Sequence, residues 1–119
     1  MKNLLDTPKY IQRLDKSDMC GILLDFPHQL KRAYNVATAQ PLHKWTGIAN
    51  IVFTGLGGSA IGGDVARCCL ADELRIPFVV NRDYSMPVFV TSKTLVFASS
   101  YSGNTEETIS AYKDARTKK

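Results

Sequence analysis

The chain has 119 residues, enough for one domain with a hydrophobic core, and 45% of them are hydrophobic against 22% charged, which excludes a disordered polymer. Fifteen Lys and Arg oppose 11 Asp and Glu, a formal net charge of +4. Part of that excess sits in the closing "ARTKK", and no basic run tracks a nucleic-acid backbone, so the charge reads as solubility and no nucleic-acid partner is expected.

The opening "MKNLLDTPKYIQRLDKSD" carries acids and lacks the uninterrupted apolar core of a signal peptide. No apolar stretch approaches the roughly 20 residues needed to cross a bilayer, so a cytoplasmic protein with no membrane partner is expected. Residues 8–14 predict a short helix with Tyr10, Ile11 and Leu14 inward, and "SDM" after it supplies a cap. A second helix starts at Pro27, repeats Leu30, Ala33, Tyr34 and Ala37 at helical spacing, and ends at Gln40 and Pro41. These elements make an N-terminal helical segment, residues 1–45, that reads as packing without chemistry.

From residue 46 to residue 119 the texture changes. "IANIVFTG", Ile48 to Gly55, is short, apolar and β-branched, and it runs into "LGGSAIGGD". That is a buried strand, a glycine-rich turn and a helix over residues 60–71. A second strand is expected at 77–80 and a third, within "TLVFASS", at 94–99, followed by the turn "SSYSGNTEET" and a helix from Thr105. Continuous apolar strands alternating with helices predict an α/β fold, a parallel sheet covered on both faces. Three strands are fewer than a doubly wound sheet usually has, so the expectation is the front part of a larger domain, the alternative being a natural small domain with a one-sided sheet.

The cysteines, Cys20, Cys68 and Cys69, are odd in number and form no C-x-x-C, a reduced usage with no metal site. Cys68 and Cys69 lie at the distal end of the first-turn helix, where nothing lowers a thiol pKa, and core packing is expected for them.

Two turns carry the chemistry. In "TGLGGSAIGGD", Gly55, Gly57, Gly58, Gly62 and Gly63 let the backbone approach a ligand, and the following helix aims free N–H groups at it. Gly55, Gly57 and Ala60 match the dinucleotide fingerprint G-x-G-x-x-G/A, although glycines for tight strand-to-helix packing would look the same. In the second turn Ser99, Ser100, Ser102, Thr105 and Thr108 offer hydroxyls and Gly103 frees the backbone. Asn104 has N-cap character with Glu107 at capping-box spacing. Neutral hydroxyls with oriented N–H groups bind a phosphate dianion without Lys or Arg, whereas an ordinary capped loop uses the same residue types. If strands one and three are neighbours, the order begins 2-1-3 and both turns flank the switch-point crevice where ligands bind. A dinucleotide site would prefer an acid at the end of strand two; "VVNRDY" puts Asn81 there, with Asp83 two residues late.

"GLGGSAIGGD" and "SSYSGNTEET" resemble the two signature turns of the sugar isomerase (SIS) domain. "FPHQLKRAYNVA" and "NRDYSMP" further resemble the bifunctional phosphoglucose/phosphomannose isomerases of bacteria and archaea, from about Cys20 to the C-terminus. The resemblance implies a three-layer αβα fold with a flavodoxin-like parallel sheet in the order 2-1-3-4-5, here truncated after the third strand and its helix. It implies that Ser59, Ser100, Ser102 and Thr105 hold the phosphate of a hexose 6-phosphate, with the backbone of Gly57 and Gly58 along the sugar. Asn104 and Glu107 would be structural caps. It also implies aldose–ketose isomerisation without a cofactor or metal, and a homodimer for the full-length protein.

The same resemblance puts the catalytic glutamate base, a ring-opening histidine and an enediol-steadying arginine beyond Lys119. Of the residues in hand, Glu106 and Glu107 suit the first turn of a helix structurally, Glu73 lies away from the carboxyl edge, and His28 and His43 read as surface or packing residues. Arg82 and Tyr84 are within reach of the crevice and are left unassigned. The alternatives are a phosphosugar-sensing SIS module of a regulator, which would need a basic recognition helix that residues 1–45 lack, and a dinucleotide-dependent oxidoreductase.

Overall fold

The structure, a computed structural model, describes residues 7–41 and 43–118. The first six residues of the N-terminal segment, and Lys119 of the basic terminus, lie outside them. The chain divides into two compact units, one up to Lys44 and one from Trp45.

The first unit holds three helices, α1 (Pro8–Leu14), α2 (Met19–Leu24) and α3 (Phe26–Ala39). Asp15, just past α1, accepts the amides of Met19 (2.8 Å) and Cys20 (2.7 Å), and Asp18 accepts that of Gly21 (3.3 Å). Two carboxylates thus satisfy the free N–H groups that open α2, a helix with no apolar periodicity in the sequence to announce it. Pro27 stands in the first turn of α3, and Gln40 ends it, as its sequence predicts. The inward faces are a correction. Ile11 is 38% and Leu14 64% exposed, and Leu30 and Tyr34 are exposed as well. Helices of six and seven residues offer α3 too little surface within this unit to cover its apolar stripe.

The second unit is a parallel sheet of β1 (Asn50–Thr54), β2 (Phe78–Asn81) and β3 (Thr94–Ala98) in the order β2-β1-β3, with helices α4 (Gly58–Cys69) and α5 (Glu106–Thr117). The expected order is therefore found among the described strands. Successive side chains of a strand point to opposite faces, and here they recruit different helices. Val52 is fully buried and packs with its half-buried register partners Val79 and Val96 under Ala111 and Ala115 of α5. Phe53, on the other face, stacks on Phe97 at 6.4 Å between centroids and lies against Gly63 of α4. The result is three layers, helix, sheet and helix.

The connection from β2 to β3 is irregular, yet it completes the core with Met86 and Val90. Asp114 of α5 accepts the Met86 amide at 2.7 Å, and Lys118 Nζ donates to the carbonyls of Met86 (3.2 Å) and Pro87 (3.4 Å). Cys68 and Cys69 are exposed, which overturns their expected burial. They fall in the last turn of α4, on a helix whose buried contacts come from Ala60 and Gly63 near its start. No described helix is long and apolar enough to cross a membrane.

Candidate phosphate-binding site

β1 and β3 run parallel side by side, so the turns that follow them emerge at the same edge of the sheet. In the first turn Gly55 leaves no space for a side chain: a Cβ there would lie 2.9 Å from the Ser99 carbonyl oxygen and 3.3 Å from the Ser59 backbone. Gly57 has φ 54 and ψ −130, a backbone that only glycine adopts readily, and it opens α4 without a side-chain cap. The N-terminus of α4, with its partial positive charge, is left facing the space above the sheet.

The second turn is organised by its own hydroxyls. Ser100 Oγ and Thr105 Oγ1 are 3.0 Å apart, and Ser102 Oγ lies 3.4 Å from the same Thr105 oxygen. Ser100 Oγ also accepts the Gly103 amide (3.1 Å), and Ser102 Oγ accepts that of Asn104 (3.2 Å). Three hydroxyl protons serve two contacts inside the turn, so one is spare. A ligand with strong acceptors can claim the other two by rotating the hydroxyls outward.

The expected cap is a correction: Thr105, not Asn104, is the N-cap of α5, and no side chain caps that helix. Shifting the helix start by one residue removes Glu107 from capping-box register, and Thr105 has turned its hydroxyl to Ser100 and Ser102. Glu106 and Glu107 remain in the first turn, where negative charge suits the helix dipole.

The two turns are stitched together. Tyr101 N–H donates to Ser59 Oγ at 3.1 Å, and Ser99 N–H donates to the Thr54 carbonyl at 2.8 Å. Because Ser59 only accepts from Tyr101, its own proton is available to a ligand. Between the turns lies an open groove of about 630 Å³ lined by Leu56, Gly58, Ser59, Ser99, Ser100 and Tyr101, over Phe53 and Gly62. Of the residues expected to hold phosphate, Ser59 and Ser100 line this groove with Gly58, whereas Ser102 and Thr105 stand behind Ser100 and position it.

Residues past β2 are committed to other work. Asn81 is buried and its amide donates to Thr54 Oγ1 (3.3 Å) and to the carbonyls of Asp83 (3.4 Å) and Ser85 (3.1 Å). It ties β2 to β1 and leaves no carboxylate at the position a dinucleotide ribose would need. Arg82 pairs with Asp64 of α4, which Arg67 also approaches at 3.9 Å. This link spans elements 18 residues apart, and no local pattern announces it. His28, in the helical unit, bonds Asp25 at 3.1 Å on the surface. No cluster of three or more metal-ligating residues occurs among the described ones.

Tyr84 reaches the first turn of α5. Partial loss of solvent, then the negative charges of Glu106 and Glu107 and a hydrogen bond to Glu107, push its hydroxyl above the ordinary tyrosine range. A raised folded-state pKa means that the neutral form is favoured by folding. Its contribution is complete below the unfolded value near pH 10 and is lost as pH rises through the folded value. Ultraviolet titration should show one tyrosine ionising late and vanishing in Tyr84→Phe. A titration curve unchanged by that substitution would separate Tyr84 from the two glutamates.

Two hydroxyl- and glycine-rich turns at adjacent helix N-termini, on a parallel β2-β1-β3 sheet flanked by helices, define an α/β protein whose fold is consistent with a SIS-like domain. In sequence the chain resembles the bifunctional phosphoglucose/phosphomannose isomerases. The one from Caldicellulosiruptor bescii is 53% identical over 95 residues, 79% of this chain and 28% of that protein. The one from Thermoplasma acidophilum is 36% identical over 92 residues, 77% of this chain and 29% of that protein. A D-glucosamine-6-phosphate 4-epimerase of Sulfolobus acidocaldarius is 42% identical over 66 residues, 56% of this chain and 20% of that protein. The chain therefore spans less than a third of the length of these curated relatives. No family model and no solved structure matches it.

Proposed function

We propose that this chain is the phosphosugar-binding part of an aldose–ketose isomerase that interconverts glucose 6-phosphate or mannose 6-phosphate with fructose 6-phosphate. The observation that carries the reading is the hydroxyl set Ser100, Ser102 and Thr105 at the uncapped start of α5, held against Ser59 of the first turn by the Tyr101 amide. Similarity to bifunctional phosphoglucose/phosphomannose isomerases over most of this chain supports the same reaction.

In that reaction the sugar ring opens, a base removes the proton from C2 of the aldose to leave an enediol, and a proton is returned at C1 to give the ketose. Ser59 and Ser100 meet the phosphate from the groove wall, Ser102 and Thr105 support Ser100 and add their hydroxyls by rotating outward when the phosphate binds, and the Gly57–Gly58 backbone carries the sugar. Anchoring the remote phosphate fixes C1 and C2 against groups elsewhere, converting binding energy into orientation. In this reading the base, the ring-opening histidine and the arginine belong to the remainder of the isomerase, of which this chain is the phosphosugar-binding part. The reaction is redox-neutral and needs no cofactor. A homodimeric, cytoplasmic full-length enzyme completes the reading.

Calorimetric titration with glucose 6-phosphate and, separately, NAD tests it. Glucose 6-phosphate is expected to bind and NAD is not; the reverse pattern would overturn the proposal. Thr105→Val removes the hydroxyl that both serines contact, and Ser102→Ala removes one donor. A hydrogen bond to a charged group is worth about 1.5–3 kcal/mol, so each variant should bind at least about tenfold more weakly with its fold retained. Wild-type affinity in both would place the phosphate elsewhere.

A second reading rests on the epimerase similarity. The same cradle would then hold an amino-sugar phosphate, and product analysis of the full-length enzyme separates a ketose from an epimer.

A further inference from the structure

The first turn has few means of holding its own shape. Gly55, Gly57 and Gly58 carry no side chains, and α4 opens at Gly57 without a side-chain cap. The buried contacts of α4 come from Ala60 and Gly63. Small residues let a helix lie close to a sheet but interdigitate little with it. Further restraint comes from β2, the outer strand on the side of β1 away from β3.

Two consecutive residues at the end of β2 reach the two arms of the turn. Asn81 holds the β1 arm. Its carbonyl accepts the Gly55 amide at 3.2 Å, and its side-chain amide donates to Thr54 Oγ1 at 3.3 Å. Thr54 is buried, and its own carbonyl accepts the Ser99 amide at 2.8 Å, so the same anchor extends to the start of the second turn. Arg82 holds the α4 arm through Asp64, the seventh residue of that helix. Arg67 also approaches Asp64, at 3.9 Å, but it stands on α4 itself and ties the helix to nothing outside it. The direction in which Arg82 leaves the strand is fixed by Asn81, whose amide bonds the carbonyls of Asp83 (3.4 Å) and Ser85 (3.1 Å) just beyond.

We propose that Arg82 is a positioning residue for the phosphosugar site: rooted by Asn81 and paired with Asp64, it sets where the start of α4 stands over the end of β1. The inference rests on the phosphosugar reading above and gives Arg82 a part in it. Arg82 does not line the groove, whereas Gly58 and Ser59, the first two residues of α4, do. A helix moves as a hydrogen-bonded unit, so a displacement at Asp64 carries Gly58 and Ser59 with it. Ser59 would then lose its register with the Tyr101 amide, which it accepts at 3.1 Å, and the two turns would no longer face each other as one site.

The test measures glucose 6-phosphate binding by the full chain, well below its Tm, in Arg82→Gln and in Asp64→Ala. The two substitutions change the local charge in opposite directions. Loss of the tie should weaken binding in both, by about 2- to 30-fold. A bare charge effect on an anionic ligand would instead weaken it in Arg82→Gln and strengthen it in Asp64→Ala. The two side chains are 44% and 32% exposed, and a pair so open to solvent adds little to stability, so Tm should stay close to wild type in both variants. Unchanged affinity, opposite shifts, or a loss of affinity that comes with a large fall in Tm would overturn the positioning role and leave the phosphosugar reading intact. Wild-type chain that binds no glucose 6-phosphate would overturn that reading and this inference with it.

Discussion

Gly55→Ala is expected to lower stability by about 1–3 kcal/mol and to abolish measurable phosphosugar binding. The reason is space. A Cβ at this position would meet the Ser99 carbonyl oxygen at 2.9 Å and the Ser59 carbonyl group at 3.3 Å, and both are main-chain atoms that no rotamer change can move. The backbone of Gly55 is not in the positive-φ region, so alanine would also restrict the unfolded chain, an effect that favours folding by about 0.4–1 kcal/mol. The overlap outweighs it, because relief requires the two turns to separate. Separation breaks the Tyr101 to Ser59 hydrogen bond and opens the groove between them. Thermal unfolding and calorimetry on one sample would read both effects. A variant with wild-type Tm and affinity would mean that the turns are not in contact.

Gly57→Ala should cost a similar amount, about 1–3 kcal/mol, for an unrelated reason. Nothing lies within 4 Å of a Cβ built on Gly57, so the cost is conformational: φ 54 with ψ −130 is disfavoured for any residue with a side chain. The least costly relief is rotation of the Gly57–Gly58 peptide, which reorients the backbone at a residue lining the groove, so affinity should fall together with stability. Gly62→Ala is the control. It too has nothing within 4 Å of its Cβ, but it lies inside α4 without a positive φ. Alanine there should stabilise by up to about 1 kcal/mol. Equal Tm values for Gly57→Ala and Gly62→Ala would refute the argument from backbone conformation.

Much of the second unit is legible in the sequence. Strands are marked by short apolar runs rich in β-branched residues, as a parallel sheet flanked by helices favours, and the three expected strands fall within two residues of their observed limits at each end. The turns were equally plain, since glycines and hydroxyls cluster at the ends of β1 and β3. Errors arose where a side chain had a choice of partners. Asn104 and Thr105 are both good capping residues, and the outcome turned on Thr105 bonding Ser100 and Ser102. Cys68 and Cys69 look apolar, but α4 meets the sheet near its start. Short α2 is built by Asp15 and Asp18 rather than by periodicity, so hydrophobic spacing could not reveal it.

By itself the sequence determined the α/β class, the two helix-starting turns and the residue types able to bind a phosphate with neutral donors, because these follow from local propensity and spacing. Only the tertiary structure decided which hydroxyls face the groove and which stand behind them. It also decided that Ser59 accepts from Tyr101, that Asn81 is a tie between strands, and that Arg82 pairs with Asp64 of α4. Each of those depends on contacts between residues far apart in the chain, and the β2-β1-β3 order, which brings the ends of the first and third strands side by side, is what creates them.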